Sequence, residues 1–152
     1  MKPDRVVVGA RTEKDFEIMR SVYRRFYTSP DTKYLEVTPE EAAAGKLLAN
    51  FYLFNKLALC FDVIGRTSEL FDNVSFEQLR TILSSDKRIG SWGLYNSLYA
   101  GGSCLIKDAR SLVHQLQKKG NDAAVIQQSY EANHRQLKHF FQRAKTDAQL
   151  DW

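Results

Sequence analysis

The chain is poor in the residues that staple, break or metallate a fold. Only two of its 152 residues are cysteine, Cys60 and Cys104, and both have apolar neighbours in sequence. A disulfide framework or a thiolate metal site is therefore not expected, and the pair reads as reduced, buried thiols of a cytoplasmic protein. Histidine is scarce as well. His134 and His139 are five positions apart, which turns them about 140° from one another on a helix, so no metal centre is expected from them. Met1-Lys2-Pro3-Asp4-Arg5 leads into only three valines, too short for the apolar core of a signal peptide. The one long hydrophobic run, Leu47 to Ile64, is interrupted by Asn50, Asn55, Lys56 and Asp62. It reads as a buried core helix and not as a membrane span. A single-sign charge stripe is also missing. The net charge is +4, with residues 1–35 and 76–120 mildly basic and 36–75 acidic, the mixed surface of an ordinary globule.

What remains is a globular composition, 43% hydrophobic and 12% aromatic, in a chain long enough to bury roughly 70% of its unfolded surface. Residues 1–11, with Val6-Val7-Val8, read as an extended arm, because one strand alone makes no sheet. Thr12 with Glu13 and Asp15 predicts a helix start, and Phe16, Met19, Val22, Tyr23 and Phe26 continue at helical spacing until Ser29-Pro30. Thr38-Pro39-Glu40-Glu41 and Ser75-Phe76-Glu77-Gln78 are two capping boxes. Apolar residues at nearly every angle over 46–64 predict a helix enclosed by others. Leu94, Tyr95 and Leu98 keep phase with Leu105, Ala109, Leu112 and Leu116, which predicts one long helix over about 91–119 running through Gly101-Gly102, with Gly102 on its packing face. Lys118-Lys119-Gly120 ends it, and a last helix carries Ile126, Tyr130, Leu137, Phe140 and Phe141 with Asn133 as the polar member of the stripe. The expected fold is an all-α antiparallel bundle of about five helices, one domain over 12–150, around a central apolar helix at about 40–65.

Three sets of residues carry the functional expectations. Asn55 and Asp62 lie seven apart on the same side of the central helix, so Asp62 needs a partner such as Arg66 or Arg110, or else opens a polar pocket in the core. Arg24 and Arg25, among Tyr23, Phe26 and Tyr27, and Lys87 and Arg88, near Trp92, mix bases with aromatics as a nucleic-acid contact does. Arg110 with His114 and Arg135 with His139 pair an arginine and a histidine on one helix, but with three residues between them where helical ribonucleases have four to six, and both histidines index to polar helix faces. Neither cysteine has a histidine near it in sequence, Gly101-Gly102-Ser103 follows no strand, and no phosphate loop is present. The expectation is a non-enzymatic protein-interaction or regulatory module without a cofactor, binding another protein or itself. Nucleic-acid binding is the second reading and a ribonuclease the third. Leu150-Asp151-Trp152 adds an apolar tip that suits docking.

Overall fold

The computed structural model describes residues 3–148, so the 150–152 tip lies outside the described residues. Two compact units divide within one helix, the first ending at Leu48 and the second beginning at Ala49.

The first unit is where the all-α expectation fails. Val6-Val7-Val8 is the heart of a strand, β1 (Arg5–Gly9), with Val6 and Val8 buried and Val7 turned outward in the alternation a pleat imposes. Its partner is β2 (Lys33–Val37), paired in parallel from Arg5 opposite Lys33 to Gly9 opposite Val37. Parallel pairing requires a crossover, and α1 (Glu13–Phe26) supplies it, capped by the Thr12 hydroxyl on the Asp15 N–H. The result is a β-α-β unit, so the chain is α/β. Bonds from Lys33 N–H to Asp4 O and from Ala10 N–H to Val37 O, 3.1 and 3.0 Å, continue the ladder past the strand ends. Arg20 joins Glu13 to Glu36, locking the crossover helix to β2.

Helix α2 (Pro39–Leu59) starts as the capping box dictates. The Glu41 N–H donates to the Thr38 hydroxyl at 3.2 Å, and the Glu41 carboxylate accepts from the Thr38 N–H at 2.8 Å. The helix widens into a π-helical turn over Cys60–Gly65 and closes with α3 (Arg66–Leu70). Helix α4 (Phe76–Ser85) follows the Ser75 cap. Residues 86–102 then form a loop, α5 (Ser103–Gln117) leads to a turn at Gly120, and α6 (Ala124–Ala148) completes the second unit. Phe54, Phe61, Ala109, Leu112 and Ile126 are the centre of its core.

Two sequence expectations are corrected here. The helix predicted over 91–119 begins only at Ser103. Gly102 has φ +87°, outside any right-handed helix, and space beside it is open. Its missing side chain therefore serves the backbone turn and not a close helix approach. The helix expected to be enclosed is covered on one side only, with Tyr52, Leu59 and Val63 each at least half exposed.

Candidate functional site

The sharpest concentration of chemistry lies where α5 begins. Cys104 is exposed, contrary to the buried thiol expected, because it occupies the first turn of α5 just after the Gly102 bend. A residue there belongs to the positive end of the helix, whose first N–H groups have no partner inside it. One turn on, Asp108 falls on the same helix face, since residues four apart are neighbours. Asp108 is 1% exposed, the most deeply buried charged side chain among the described residues.

Such a carboxylate needs hydrogen bonds and opposite charge. Asn50, from α2, donates its amide N–H to the Asp108 carboxylate at 2.6 Å, a bond that ties α2 to the first turns of α5. Lys107 places its ammonium 2.9 Å from the other carboxylate oxygen while remaining mostly in solvent. The hydrogen bond to Asp108 pushes the Lys107 pKa up, and the nearby charges of Asp108 and Cys104 add to the effect against a little burial. The neighbourhood thus has an exposed thiol, a cation and a buried anion within two helical turns. Beside it, Tyr99, Gly102, Ser103, Ile106, Lys107 and Arg110 line an open hollow of about 520 Å³.

The residues singled out from sequence are distributed elsewhere. Asp62 feels Arg66 only through its nearby charge, and its bonded partner is neither Arg66 nor Arg110. It holds Arg135 of α6 through two bonds, 3.0 and 2.7 Å, and Arg135 draws its carboxyl below the usual aspartate range against the opposing effect of burial. Asn55 accepts from the Ser129 hydroxyl at 2.7 Å, and Asn55, Asp62 and Arg135 share one shallow groove between α2 and α6. Arg110 is exposed on α5 and faces the hollow near Cys104. Arg24 lies over the Tyr34 ring at 5.6 Å and Arg25 is exposed, both in the first unit, whereas Lys87 and Arg88 belong to the second, with Arg88 tied to Asp86. His139 contacts Glu69 at 3.1 Å and Arg135 is committed to Asp62, while His114 and Arg110 line a separate groove between α5 and α6. Among the described residues no cluster of three metal-ligating side chains occurs.

Comparison with known proteins places the chain in a family. Residues 40–135 match the central-domain model of the UDP-glucose/GDP-mannose dehydrogenase family. The chain belongs to that family. It is 30% identical over 141 residues to a UDP-glucose 6-dehydrogenase of Pseudomonas aeruginosa, covering 93% of this chain and 30% of the relative. It is 27% identical to one of Haloferax volcanii, covering 88% and 31%. The solved structure of a UDP-glucose dehydrogenase from Pyrobaculum islandicum superposes with a TM-score of 0.85 at 26% identity, over 97% of this chain and 33% of that one. The chain therefore spans about a third of the length of these relatives.

Family membership overturns the expected regulatory interaction module, together with its nucleic-acid and ribonuclease alternatives, and replaces it with a domain of an enzyme family. In the sequence Cys104 reads as a buried thiol, and Asn50, Lys107 and Asp108 are given no site role. A dehydrogenase also needs an electron acceptor, and a dinucleotide is typically held by a glycine-rich turn between strand and helix. The turn after β1 reads Gly9-Ala10-Arg11-Thr12, and a side chain at its single glycine would lie 2.8 Å from the Pro39 Cα. That glycine serves internal packing. The turn after β1 does not fit the phosphates of a dinucleotide.

Proposed function

We propose that this chain supplies the sugar-handling side of a UDP-sugar dehydrogenase, with Cys104 as the nucleophile that captures an aldehyde. The observation that carries the reading is the exposed thiol in the first turn of α5, one turn before a fully buried Asp108 that Asn50 and Lys107 hold in place. The relatives are named for oxidation at position 6 of the sugar in UDP-glucose. That position is a primary alcohol, and removing two hydrogens from it leaves an electrophilic aldehyde carbon. Addition of the thiol is balanced by itself: the sulfur–carbon bond forms as the thiol proton leaves, the carbonyl π pair becomes an oxyanion, and the oxyanion regains a proton. Cysteine suits this task better than serine because its anion is the more accessible nucleophile. Lys107 and Arg110 give the adjacent hollow a positive lining suited to the phosphates of a nucleotide sugar.

A cytoplasmic setting goes with this reading, since an exposed free thiol stays reduced there. Self-association also fits, through the exposed apolar strip of Tyr52, Leu59, Val63 and Val125. The test is substitution with protection. With a dinucleotide supplied as the two-electron acceptor, Cys104→Ser should lower the turnover of UDP-glucose on the order of 10³-fold or more. Saturating UDP-glucose should slow alkylation of Cys104 by iodoacetamide in the unsubstituted protein. Full activity in Cys104→Ser overturns the assignment of the nucleophile, and alkylation indifferent to UDP-glucose overturns the assignment of the substrate.

A further inference from the structure

We infer that Asn133 and Gln136 of α6 are positioning residues that fix the loop ahead of α5 and so set where the Cys104 thiol stands. The inference rests on the reading of Cys104 as nucleophile. Asn133 is 0% exposed within the apolar stripe of α6, where an unpaired carboxamide is strongly disfavoured. Both of its polar atoms go to a single residue. Its Oδ1 accepts from the Ala100 N–H at 2.8 Å, and its Nδ2 donates to the Ala100 C=O at 3.1 Å. A carboxamide in that position stands in for a neighbouring strand and satisfies a buried peptide that has no sheet or helix to join. One turn later Gln136 donates to Ser97 O at 2.7 Å. Its Oε1 accepts from Arg66, which fixes the orientation of the amide.

Ala100 and Cys104 are separated by Gly101, Gly102 and Ser103. Gly102 takes the left-handed conformation at φ +87°, so the path between them is a single bend. On the far side α5 is pinned by the Asp108–Asn50 bond. Cys104 thus stands midway between two anchors, four residues after the Asn133 clamp and four before Asp108. A shift of the Ala100 peptide passes directly to the thiol, because the Asp108 anchor prevents α5 from following as a rigid body.

The experiment measures kcat and KM for UDP-glucose with a dinucleotide supplied as electron acceptor, the iodoacetamide alkylation rate of Cys104 against pH, and the melting temperature. It compares the unsubstituted protein, Asn133→Ala, Asn133→Asp, Gln136→Leu, Cys104→Ser and Ile126→Ala, the last a core truncation in α6 that removes no hydrogen bond to Ala100 or Ser97. Asn133→Ala should lower kcat about 10–100-fold with KM within roughly twofold, as a misplacement of ~1 Å does, and should change the alkylation profile. Asn133→Asp should approach the unsubstituted rates as pH falls, because the protonated acid presents the same acceptor and donor to Ala100. Ile126→Ala should lose melting temperature yet keep kcat and profile. If Asn133→Ala does not fold, Gln136→Leu carries the same comparison at Ser97. Unchanged kcat and alkylation in Asn133→Ala, or equal losses in Ile126→Ala, overturn the positioning role. An active Cys104→Ser instead overturns the nucleophile reading, and the alkylation profiles still decide whether Asn133 places the thiol.

Discussion

Breaking the bond between Asn50 and Asp108 tests the architecture of the site most directly. The bond is 2.6 Å long and its acceptor is a carboxylate only 1% exposed, so water cannot take over when the amide is removed. A hydrogen bond to a charged group contributes about 1.5–3 kcal/mol, and the upper part of that range applies where the charge stays buried. Lys107, whose ammonium is 67% exposed, and the further contacts of Asp108 remain, but the short amide bond is lost. Asn50→Ala should therefore lower stability by about 2–3 kcal/mol, or roughly 4–12 °C in melting temperature for a chain of this size. Asp108→Ala removes the charge itself, so adding Asn50→Ala to it should cost only the small packing loss. Urea unfolding followed by circular dichroism near neutral pH, on all four proteins of the double-mutant cycle, gives the coupling. The expected value is about 1.5–3 kcal/mol. Additivity within ~0.5 kcal/mol would refute the claim that Asn50 is what holds the Asp108 charge in place.

Two further outcomes follow from the packing and the ion pairs. Gly9→Ala would put a Cβ 2.8 Å from the Pro39 Cα and 2.9 Å from the Ala42 Cβ, and backbone cannot give way as a flexible side chain does. The expected loss is about 1–3 kcal/mol, read as faster hydrogen exchange of the β1 and β2 amides, and unchanged exchange would refute the close approach. Asp62 is held below its ordinary value of 3.8, first by the hydrogen bonds from Arg135. Its contribution is accordingly complete above about pH 4 and disappears as the pH falls through the lower folded value. Arg135 is 52% exposed, so the pair is worth no more than ~1 kcal/mol. Arg135→Ala should show that deficit at pH 7 and none in strong acid, and a deficit that persists in acid would mean Arg135 acts through packing alone.

What the sequence discloses depends on how local the cause is. The helix starts at Thr38 and Ser75 are legible because donor and acceptor lie three residues apart, and both caps form. The β1–β2 pairing is not, because Val6-Val7-Val8 finds its partner across an intervening helix, and Lys33–Val37 contains charges at both Lys33 and Glu36. The long helix over 91–119 fails for a different reason. Phase across Gly101-Gly102 is preserved only in the count of residues, and an angle computed along an assumed helix cannot detect a residue at φ +87°.

The same distinction explains why Asp62 drew notice and Asp108 did not. Asp62 stood out as a charge in a helix apolar on all sides, but such a helix gives no direction, and the face that carries Asp62 is partly open and met by Arg135. Helix α5 is amphipathic and does give one: Leu105, Ala109 and Leu112 mark its inner face, and Asp108 falls on that face by the same three- and four-residue spacing. A carboxylate in register with a core stripe has to be buried if the helix packs at all. It must then be given partners, Asn50 and Lys107 among them, one turn beyond Cys104. The stronger signal in this sequence was thus the charge on the wrong side of an ordinary helix, because there the fold itself forces the polar network that a reactive thiol can use.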